Sequence, residues 1–523
     1  MKPHGHSLFT MAATTTLVAA VLAGGCGGGG TSESPPRPQA LSHDPAVIGR
    51  FDPVFDWPVM PIHMALLPDG RVMGFGSTTG GRQGAQLSYA VWDPRLGTGA
   101  DSMLLLPNTT GTDILCAGQA MLPSTGELLI VGGDLTVNGV RNHANSDVNL
   151  FTPSSNLLTR QAVSMSQKRW YATAVTNGIG EQVVLGGMID KYVDTGLATG
   201  ELVTPALTPE VYRRGIGWRR IAGAASATAF AAATEGWYYP RAWLGADGRI
   251  FMLSHAGAMY HVTTSGEGRI DTAAAAAPPG ESMMPAVMFQ PGKILALRND
   301  RRAVVIDIVQ PDNPSVSASA EPSWHRRYGN TTLLADGKVW ANGGTNLLND
   351  LAGAAFHSET WDPATETWTL SAVAQVARLY HSASLLLPDG TVLTGGGGAP
   401  GPVTNLNAEI YHPPYLFLRD GSGALAPRPT IAAAPTALDW SEAFQVTMDG
   451  SAPVSRVALV RAGSVTHSFN NDQRFIEMPF TQDGTQIRLQ APASRNTAPP
   501  GFYLLFVFDG NGVPSVARTI RLY

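Results

Sequence analysis

The stretch LLLPDGTVLTGGGG, residues 385–398, contains the pattern that decides the fold. An apolar run ends at a D-G turn, a second apolar run follows, and a row of glycines closes the segment. Such a turn joins two strands of a hairpin, because glycine supplies the positive φ that the turn requires. The stretch therefore predicts a β-hairpin.

The same pattern occurs seven times along the chain. The other copies are ALLPDGRVMGFGS, MLPSTGELLIVGG, AVTNGIGEQVVLGG, AWLGADGRIFMLSH, AVMFQPGKILALR and TLLADGKVWANGG. The turn glycines are Gly70, Gly126, Gly178, Gly248, Gly292, Gly337 and Gly390. Their spacing is close to the repeat length of kelch-type proteins, in which every repeat forms one blade. We predict an all-β fold with a seven-bladed kelch-type β-propeller over residues 45–425.

A second domain follows a Pro/Ala-rich boundary, LAPRPTIAAAPTALDW. Beyond it, short alternating segments such as AFQVTMDG, SRVALVRAG and GFYLLFVFDG are separated by turns. This pattern predicts an immunoglobulin-like β-sandwich over residues 427–523. The net charge of −5 leaves no basic footprint for nucleic acid.

The N-terminus predicts export. Lys2 precedes an apolar run from Leu8 to Leu22 that is short for a membrane span, and small residues lead to Cys26. Residues 1–25 resemble a bacterial lipoprotein signal peptide, with simple secretion as the alternative, and residues 26–44 form a flexible Gly/Ser/Pro tether. We expect a monomer that is lipid-anchored through Cys26 at the bacterial cell envelope or is extracellular, with no other membrane contact.

Export leaves Cys116, in TDILCAGQAM, without a disulfide partner, because Cys26 is removed or lipidated. A lone thiol in an oxidising compartment is open to oxidation. Cys116 is therefore expected to be deeply buried or already chemically used.

Cys116 shares its place in the repeat with three aromatic residues. Counted back from the turn glycine, with Gly180 as the alternative to Gly178 in the expanded third turn, Tyr171, Trp237 and Tyr380 occupy nearly the same register as Cys116. Equivalent positions of successive blades lie on one ring, so we expect these four side chains at one mouth of the central channel. The alternative is that the aromatic rings merely plug the channel.

Two histidines could join this cluster. His381 follows Tyr380 in RLYHS, and the two side chains can face one ion only where the chain bends, since neighbours in a strand point to opposite faces. His467 lies in AGSVTHSFNNDQR, a polar segment that predicts a loop of the second domain. Such a loop could reach the propeller mouth, although a surface histidine is the alternative.

These segments resemble the copper radical oxidases, the galactose oxidase and glyoxal oxidase family, from about residue 50 to the C-terminus. ARLYHSASLLLPDGTVLTGGGG, VTHSFNNDQRFIEMPF, PPGFYLLFVFDGNGVPSVARTIRL, SQKRWYATAV and TDILCAGQAM each resemble a segment of that family. The KRWY form is nearer the glyoxal oxidases, and the chain is similar to bacterial glyoxal oxidase-like members.

The resemblance implies one copper ion bound by Tyr171, Tyr380, His381 and His467. It implies a thioether between Cys116 and Tyr171 that forms a radical cofactor, with Tyr380 as general base. Trp237 would stack over the cross-link, with Trp170 or Trp243 as alternatives.

The implied reaction is the two-electron oxidation of small aldehydes, such as glyoxal or methylglyoxal, or of primary alcohols, with reduction of O2 to H2O2. A galactose or sugar alcohol oxidase of the same family is one alternative. A non-catalytic kelch propeller, acting as a surface or glycan-binding protein, is the other; it does not explain why Cys116, Tyr171, Tyr380, His381 and His467 occur together.

Overall fold

The structure is a computed structural model and describes residues 42–193, 201–470 and 472–523. The predicted signal peptide and the tether up to residue 41 lie outside the described residues. The described chain has a single four-residue α-helix, Pro45–Ile48, and short 3-10 helices. These are Pro94–Leu96, Ala100–Ser102, Ala222–Ala224, Asn299–Arg301, Leu351–Gly353 and Pro414–Leu416. Among these residues we find no helix with the length and hydropathy of a membrane span.

Strands make up the rest of the regular structure, which confirms the all-β prediction. Before residue 413 they form seven antiparallel four-stranded groups, here called arrays 1 to 7 in chain order. The strands are His63–Leu66, Val72–Phe75, Ser88–Trp92 and Met103–Pro107 in array 1; Gly118–Met121, Leu128–Val131, Val148–Thr152 and Leu157–Arg160 in array 2; Trp170–Thr176, Gln182–Val193, Glu210–Arg213 and Gly217–Arg220 in array 3; Arg241–Leu244, Ile250–Leu253, Ala258–Thr263 and Arg269–Ala276 in array 4; Ala286–Gln290, Lys293–Leu297, Ala303–Asp307 and Ser315–Ser319 in array 5; Asn330–Leu333, Val339–Asn342, His357–Asp362 and Thr367–Val373 in array 6; Ser382–Leu386, Val392–Gly396, Asn407–His412 and Arg50–Phe51 in array 7.

Array 7 is assembled from both ends of this region. Arg50–Phe51 and the short strand Phe55–Asp56 pair with Asn407–His412, although they come directly before array 1 in the chain. The chain segment around residues 50–56 therefore joins the last array to the first. Three further short strands lie outside these arrays. Asp134–Val137 pairs with Val140–Ala144, and Glu201–Pro205 pairs with Gln182–Val193.

The first two strands of every array are the hairpin that the repeat predicts. Its turn glycine has a positive φ, as at Gly390 with 79°. In array 3 the turn is expanded, and of its two candidate glycines Gly180, not Gly178, takes the positive φ, 83°. Asn177 accounts for this shift, since its side chain accepts hydrogen bonds from the backbone N–H groups of Ile179 and Glu181.

The glycines at the end of several repeats accept hydrogen bonds from buried arginines that the sequence pattern did not predict. In arrays 3, 6 and 7, a fully buried arginine donates to the carbonyl of one of these glycines, Gly186, Gly343 or Gly396, and pairs with a fully buried glutamate. The pairs are Arg169–Glu210, Arg326–Glu359 and Arg378–Glu409. A Cβ on Gly343 would clash with the carbonyl oxygen of Arg378 in the next array, so a larger residue does not fit.

The C-terminal domain consists of two packed sheets. One contains Ile431–Ala433, Ala443–Met448, Gln486–Gln490 and Phe480–Asp483, and the other contains Ala437–Leu438, Arg518–Leu522, Gly501–Asp509, Val454–Arg461 and Phe475–Glu477. Their facing side chains share one apolar core, which includes Val446, Leu459 and Leu505. Two sheets around one core are the arrangement expected of a sandwich.

A hairpin from this domain enters the first region. Its strands, Ser464–Thr466 and Phe469–Asn470, lie between the first strands of arrays 1 and 5 and join the two arrays into one ten-stranded sheet. The first strand of each array is called its innermost strand below. Thr466 pairs with His63, and Phe469 pairs with Ala286. The predicted loop around His467 is therefore wrong as to secondary structure: the polar residues form a tight hairpin, because its backbone is paired on both sides.

Candidate metal centre

Each array from 2 to 7 brings one non-glycine residue with positive φ to the start of its innermost strand. These residues are Cys116, Tyr171, Tyr239, Met283, Tyr328 and His381, with φ between 40° and 69°. Such φ values are uncommon for non-glycine residues and often mark functional sites. The repetition fixes which positions of the arrays are equivalent.

Backbone hydrogen bonds connect these positions between neighbouring arrays. The carbonyl of Cys116 accepts the N–H of Tyr171 at 2.9 Å, and the carbonyl of Tyr171 accepts the N–H of Tyr239 at 2.9 Å. The predicted common register of Cys116 and Tyr171 therefore agrees with the geometry. The predicted register of Trp237 is two residues off, because Tyr239 occupies that position in array 4.

Tyr380 and His381 lie at a bend, as two adjacent ligands require. His381 has a φ of 69°, and the strand begins only at Ser382. The positive φ breaks the alternation of a strand, so the two rings stack with centroids 3.8 Å apart. Both side chains therefore face the same region.

Three phenol groups meet beside these residues. The hydroxyls of Tyr171 and Tyr380 are 2.7 Å apart, and the hydroxyl of Tyr238 lies 3.1 Å from that of Tyr380. Burial raises the pKa of Tyr171 and the pKa of Tyr380 well above the usual value for tyrosine. A nearby cation would counter this effect and favour the phenolates.

The hydrogen bonds of the two histidines leave one ring nitrogen of each available. His381 donates from Nδ1 to the carbonyl of Gly398 at 2.7 Å, and its buried Nε2 has no partner. His467 places Nδ1 2.5 Å from the hydroxyl of Thr466, which itself donates to the carbonyl of Ile62. His467 Nδ1 therefore carries the proton, so its Nε2 is an acceptor that faces the Cys116 thiol, whereas Nε2 of His381 has no partner. Both Nε2 atoms carry the lone pair that a metal-binding histidine uses.

Burial also keeps these imidazoles uncharged. It lowers the pKa of His381 to about 4, and it lowers the pKa of His467 well below the usual value, helped by His381, His63 and Arg241. Neutral imidazole is the form that binds metals, so both side chains are ready to act as ligands near neutral pH.

The hairpin holds His467 at its tip. His467 and Ser468 form the two-residue turn, and both have positive φ, 48° and 66°. The buried guanidinium of Arg241 donates to the carbonyl of His467 at 3.3 Å and lies 4.8 Å from the ring of Phe469. These contacts fix the direction of the imidazole.

Cys116 lies at the centre of the cluster and is fully buried. Its Sγ is 3.6 Å from Nε2 of His467, and its thiol lies within hydrogen-bonding reach of the Tyr171 side chain. Among the described residues, the donor atoms of Cys116, His381 and His467 form a possible metal site, all within 4.8 Å of one another. Burial raises the pKa of the Cys116 thiol well above its usual value, so the sulfur is protonated until it reacts.

The three candidate tryptophans lie at different distances from Tyr171. The ring of Trp170 is nearest, with centroids 4.0 Å apart, whereas Trp237 is at 6.3 Å. Trp243 is fully buried against Phe251 and Phe469. The geometry favours Trp170 over the predicted Trp237.

Sequence reasoning missed four residues of this cluster: His63, Tyr238, Tyr239 and Tyr328. The ring of Tyr328 packs on Tyr380 with centroids 5.0 Å apart. An R-x-Y motif could have revealed it, because HRRYG repeats the spacing of KRWYA and ARLYH. Trp170, Tyr238, Tyr328 and Tyr380 are partly exposed, so they line the open side of the cluster.

Comparison with known proteins agrees with this geometry. Residues 428–522 match the family model "Galactose oxidase-like, Early set domain". Galactose oxidase of Gibberella zeae is 28% identical over 507 residues, which cover 91% of this chain and 71% of that protein. Aldehyde oxidase GLOX of Vitis pseudoreticulata is 36% identical over 163 residues, 28% of this chain and 30% of that protein. Aldehyde oxidase GLOX1 of Arabidopsis thaliana is 24% identical over 480 residues, 81% of this chain and 75% of that protein.

A solved structure has the same fold. It is a fungal alcohol oxidase in complex with copper, with a TM-score of 0.77 and 22% identity over 91% of this chain and 99% of that chain. The sequence relatives support the copper radical oxidase family. They are fungal and plant proteins, so the likeness to bacterial members stays a prediction.

Proposed function

We propose that this protein is a mononuclear copper radical oxidase that oxidises small aldehydes or primary alcohols and reduces O2 to H2O2. The main supporting observation is the arrangement of donors: the Nε2 atoms of two neutral imidazoles and two phenol hydroxyls lie around one buried thiol, and Nε2 of His381 has no hydrogen-bond partner. Imidazole and oxygen donors are a set that suits Cu(II). The donors present therefore fit the metal, with Tyr171, Tyr380, His381 and His467 as its ligands.

When bound, copper would supply one of the two oxidising equivalents and would lower the pKa of a substrate hydroxyl. Tyr380 is partly exposed, so its Oη would receive the substrate proton. Tyr171, joined through sulfur to Cys116, would take the hydrogen atom from the substrate carbon at its own Oη. Full burial of Cys116 excludes water from the sulfur and protects the radical.

The open side of the cluster bears on the substrate class. Its lining rings belong to Trp170, Tyr238, Tyr328 and Tyr380. Their ring faces are apolar, while three phenol hydroxyls and one indole N–H can donate hydrogen bonds to a substrate. We favour glyoxal, methylglyoxal or simple primary alcohols, because two relatives are aldehyde oxidases, with galactose or a sugar alcohol as the alternative, since one relative is a galactose oxidase.

We also propose that the seven arrays are the blades of one kelch-type propeller and that the C-terminal domain is immunoglobulin-like. In support, the innermost strands of arrays 2 and 3, 3 and 4, 5 and 6, 6 and 7, and 7 and 1 lie in contact. Residues 42–523 form one compact body, in which the C-terminal hairpin lies among these innermost strands.

Location remains a proposal from the N-terminal sequence. Export with a lipid on Cys26 would place peroxide production at the cell envelope, and a lipid anchor would be its membrane attachment. A purified chain is expected to be a monomer. Mass spectrometry of the membrane-extracted protein, with and without Cys26→Ser, tests the lipid.

Copper binding is the first expected result. The chain should bind one Cu(II), and His381→Ala should lower the affinity at least about 100-fold, because it removes a ligand whose Nε2 has no other partner. His261→Ala is the matched control, since His261 is also buried but packs against Phe251 in array 4, with ring centroids 5.5 Å apart. Equilibrium dialysis with competing chelators measures both, and equal affinities would contradict the ligand assignment.

Oxygen consumption separates the proposed function from its rival. Copper-loaded protein should consume O2 and release H2O2 with glyoxal, methylglyoxal or a primary alcohol, and galactose serves as the comparison substrate. A non-catalytic propeller would bind glycans without consuming O2. Copper-loaded protein that is inert toward all four substrate types would favour that rival.

Trp170 is expected to shield the radical. Trp170→Leu should shorten the lifetime of the oxidised radical form about 3- to 10-fold, because an aromatic contact of about 0.5–1.5 kcal/mol is lost. Trp237→Leu, the same change at a ring 6.3 Å away, should have the smaller effect. Decay of the radical absorption measures both, and the reverse order would restore Trp237 as the shielding residue.

A further inference from the structure

His63 is a buried histidine that the proposed copper site does not use. It belongs to the innermost strand of array 1, has no exposed surface and stacks on Phe75 with centroids 4.5 Å apart. Its Nε2 accepts the backbone N–H of Cys116 at 3.0 Å. The proton is therefore on Nδ1, which faces the side-chain oxygen of Gln119 at 3.2 Å.

Gln119 extends this contact to the hairpin of the C-terminal domain. Its side-chain amide donates to the carbonyls of Met64 and Val465, each at 3.2 Å. Val465 is two residues before His467 in the same hairpin. One series of hydrogen bonds therefore runs from the Cys116 backbone through His63 and Gln119 to the hairpin whose turn carries His467, a proposed copper ligand.

The hydrogen bond from the Cys116 N–H to His63 holds the backbone of Cys116, and this backbone sets the direction of the thiol. Cys116 has a φ of 57°, which an L-residue adopts only when its surroundings hold it there. Its side chain lies in the interior, so solvent cannot replace a lost partner of the N–H. Rotation of this peptide would swing Sγ away from Tyr171, the residue whose N–H binds the Cys116 carbonyl.

We propose that His63 is a positioning residue for the thioether between Cys116 and Tyr171, and that Gln119 selects its tautomer; this inference rests on the proposed function. In the bond-forming step, the thiol loses its S–H hydrogen and the Tyr171 ring loses one C–H hydrogen as the S–C bond forms. The two electrons and two protons pass to dioxygen, which becomes hydrogen peroxide.

The experiment follows this step directly, by intact mass, after Cu(II) is added in air to the metal-free full chain. His63→Leu should cross-link at least about tenfold more slowly, because the Cys116 N–H loses its acceptor. His63→Gln should stay within about threefold of the original rate, because its amide oxygen can accept the same N–H. Phe75→Leu removes packing on the same ring but no hydrogen bond, so it should lower the thermal midpoint and leave the rate unchanged.

If His63 had a merely structural role, Phe75→Leu and His63→Leu would slow cross-linking to the same extent, or neither would slow it. Either result would overturn the inference. If His63→Leu does not fold, Gln119→Leu replaces it, and cross-linking of that variant at the original rate also overturns the inference. If the unmodified sequence never loses the two hydrogens, the proposed function itself fails. A normal cross-link in the unmodified chain together with a normal rate in His63→Leu rejects only the role of His63.

Discussion

Replacing Cys116 by serine is expected to lower oxidase activity at least about 1,000-fold while copper stays bound. Serine fills nearly the same space, and the sulfur is not one of the four proposed ligands. It cannot form the thioether, however, so the Tyr171 ring would lose the electron donation that makes its radical accessible. A 1,000-fold loss corresponds to about 4 kcal/mol of transition-state stabilisation.

The measurement is the initial rate of O2 uptake by copper-loaded protein, together with copper content and thermal midpoint. Tyr171→Phe is the comparison variant: it also lacks the thioether but in addition loses a proposed ligand, so it should bind copper more weakly than Cys116→Ser. Activity of Cys116→Ser within about tenfold of the unmodified chain would mean that the sulfur is not part of the cofactor.

The second large effect is on stability. Glu409→Gln should lower the free energy of unfolding by about 3–5 kcal/mol, because it leaves the buried guanidinium of Arg378 without its counter-charge. Both side chains of the pair are fully buried, with 2.9 Å between the charged atoms. Arg378 is two residues before Tyr380, so the same change should also weaken copper binding.

The matched control is Glu477→Gln. Glu477 pairs with Arg456 at the surface, where its side chain is 54% exposed, and exposed pairs contribute at most about 1 kcal/mol. Chemical denaturation of both variants, with the unmodified chain as reference, measures the difference. Equal losses of stability in the two variants would contradict the structural role assigned to the buried pair.

The repeated hairpins could be predicted from the sequence because their signals are local. A D-G turn and its two apolar runs lie within about a dozen residues, so neighbouring residues determine the hairpin. The buried arginine–glutamate pairs could not be predicted this way. Arg378 and Glu409 are 31 residues apart in the chain, and Arg169 and Glu210 are 41 apart, so only the folded array brings them together.

At the candidate site, too, the features set by nearby residues could be predicted, and those set by contacts between distant residues could not. Cys116 and Tyr171 could be matched by counting from the turns, because each lies about one strand length before its turn glycine, 10 residues before Gly126 and nine before Gly180. Trp237 was misplaced by two residues, because it is 11 residues before Gly248, whereas Tyr239 is nine before it, as Tyr171 is nine before Gly180. The predicted loop at His467 proved to be a hairpin, because its strands pair with His63–Leu66 and Ala286–Gln290, far away in sequence.

The covalent bond between Cys116 and Tyr171 is the central claim, and the intact mass after aerobic copper loading tests it most directly. The account predicts a loss of about two mass units, absent in Cys116→Ser, because one hydrogen leaves each partner. Trypsin should then release residues 96–141, which contain Cys116, joined to residues 170–191, which contain Tyr171. An unchanged mass, with a thiol that titrates after unfolding, would contradict the account.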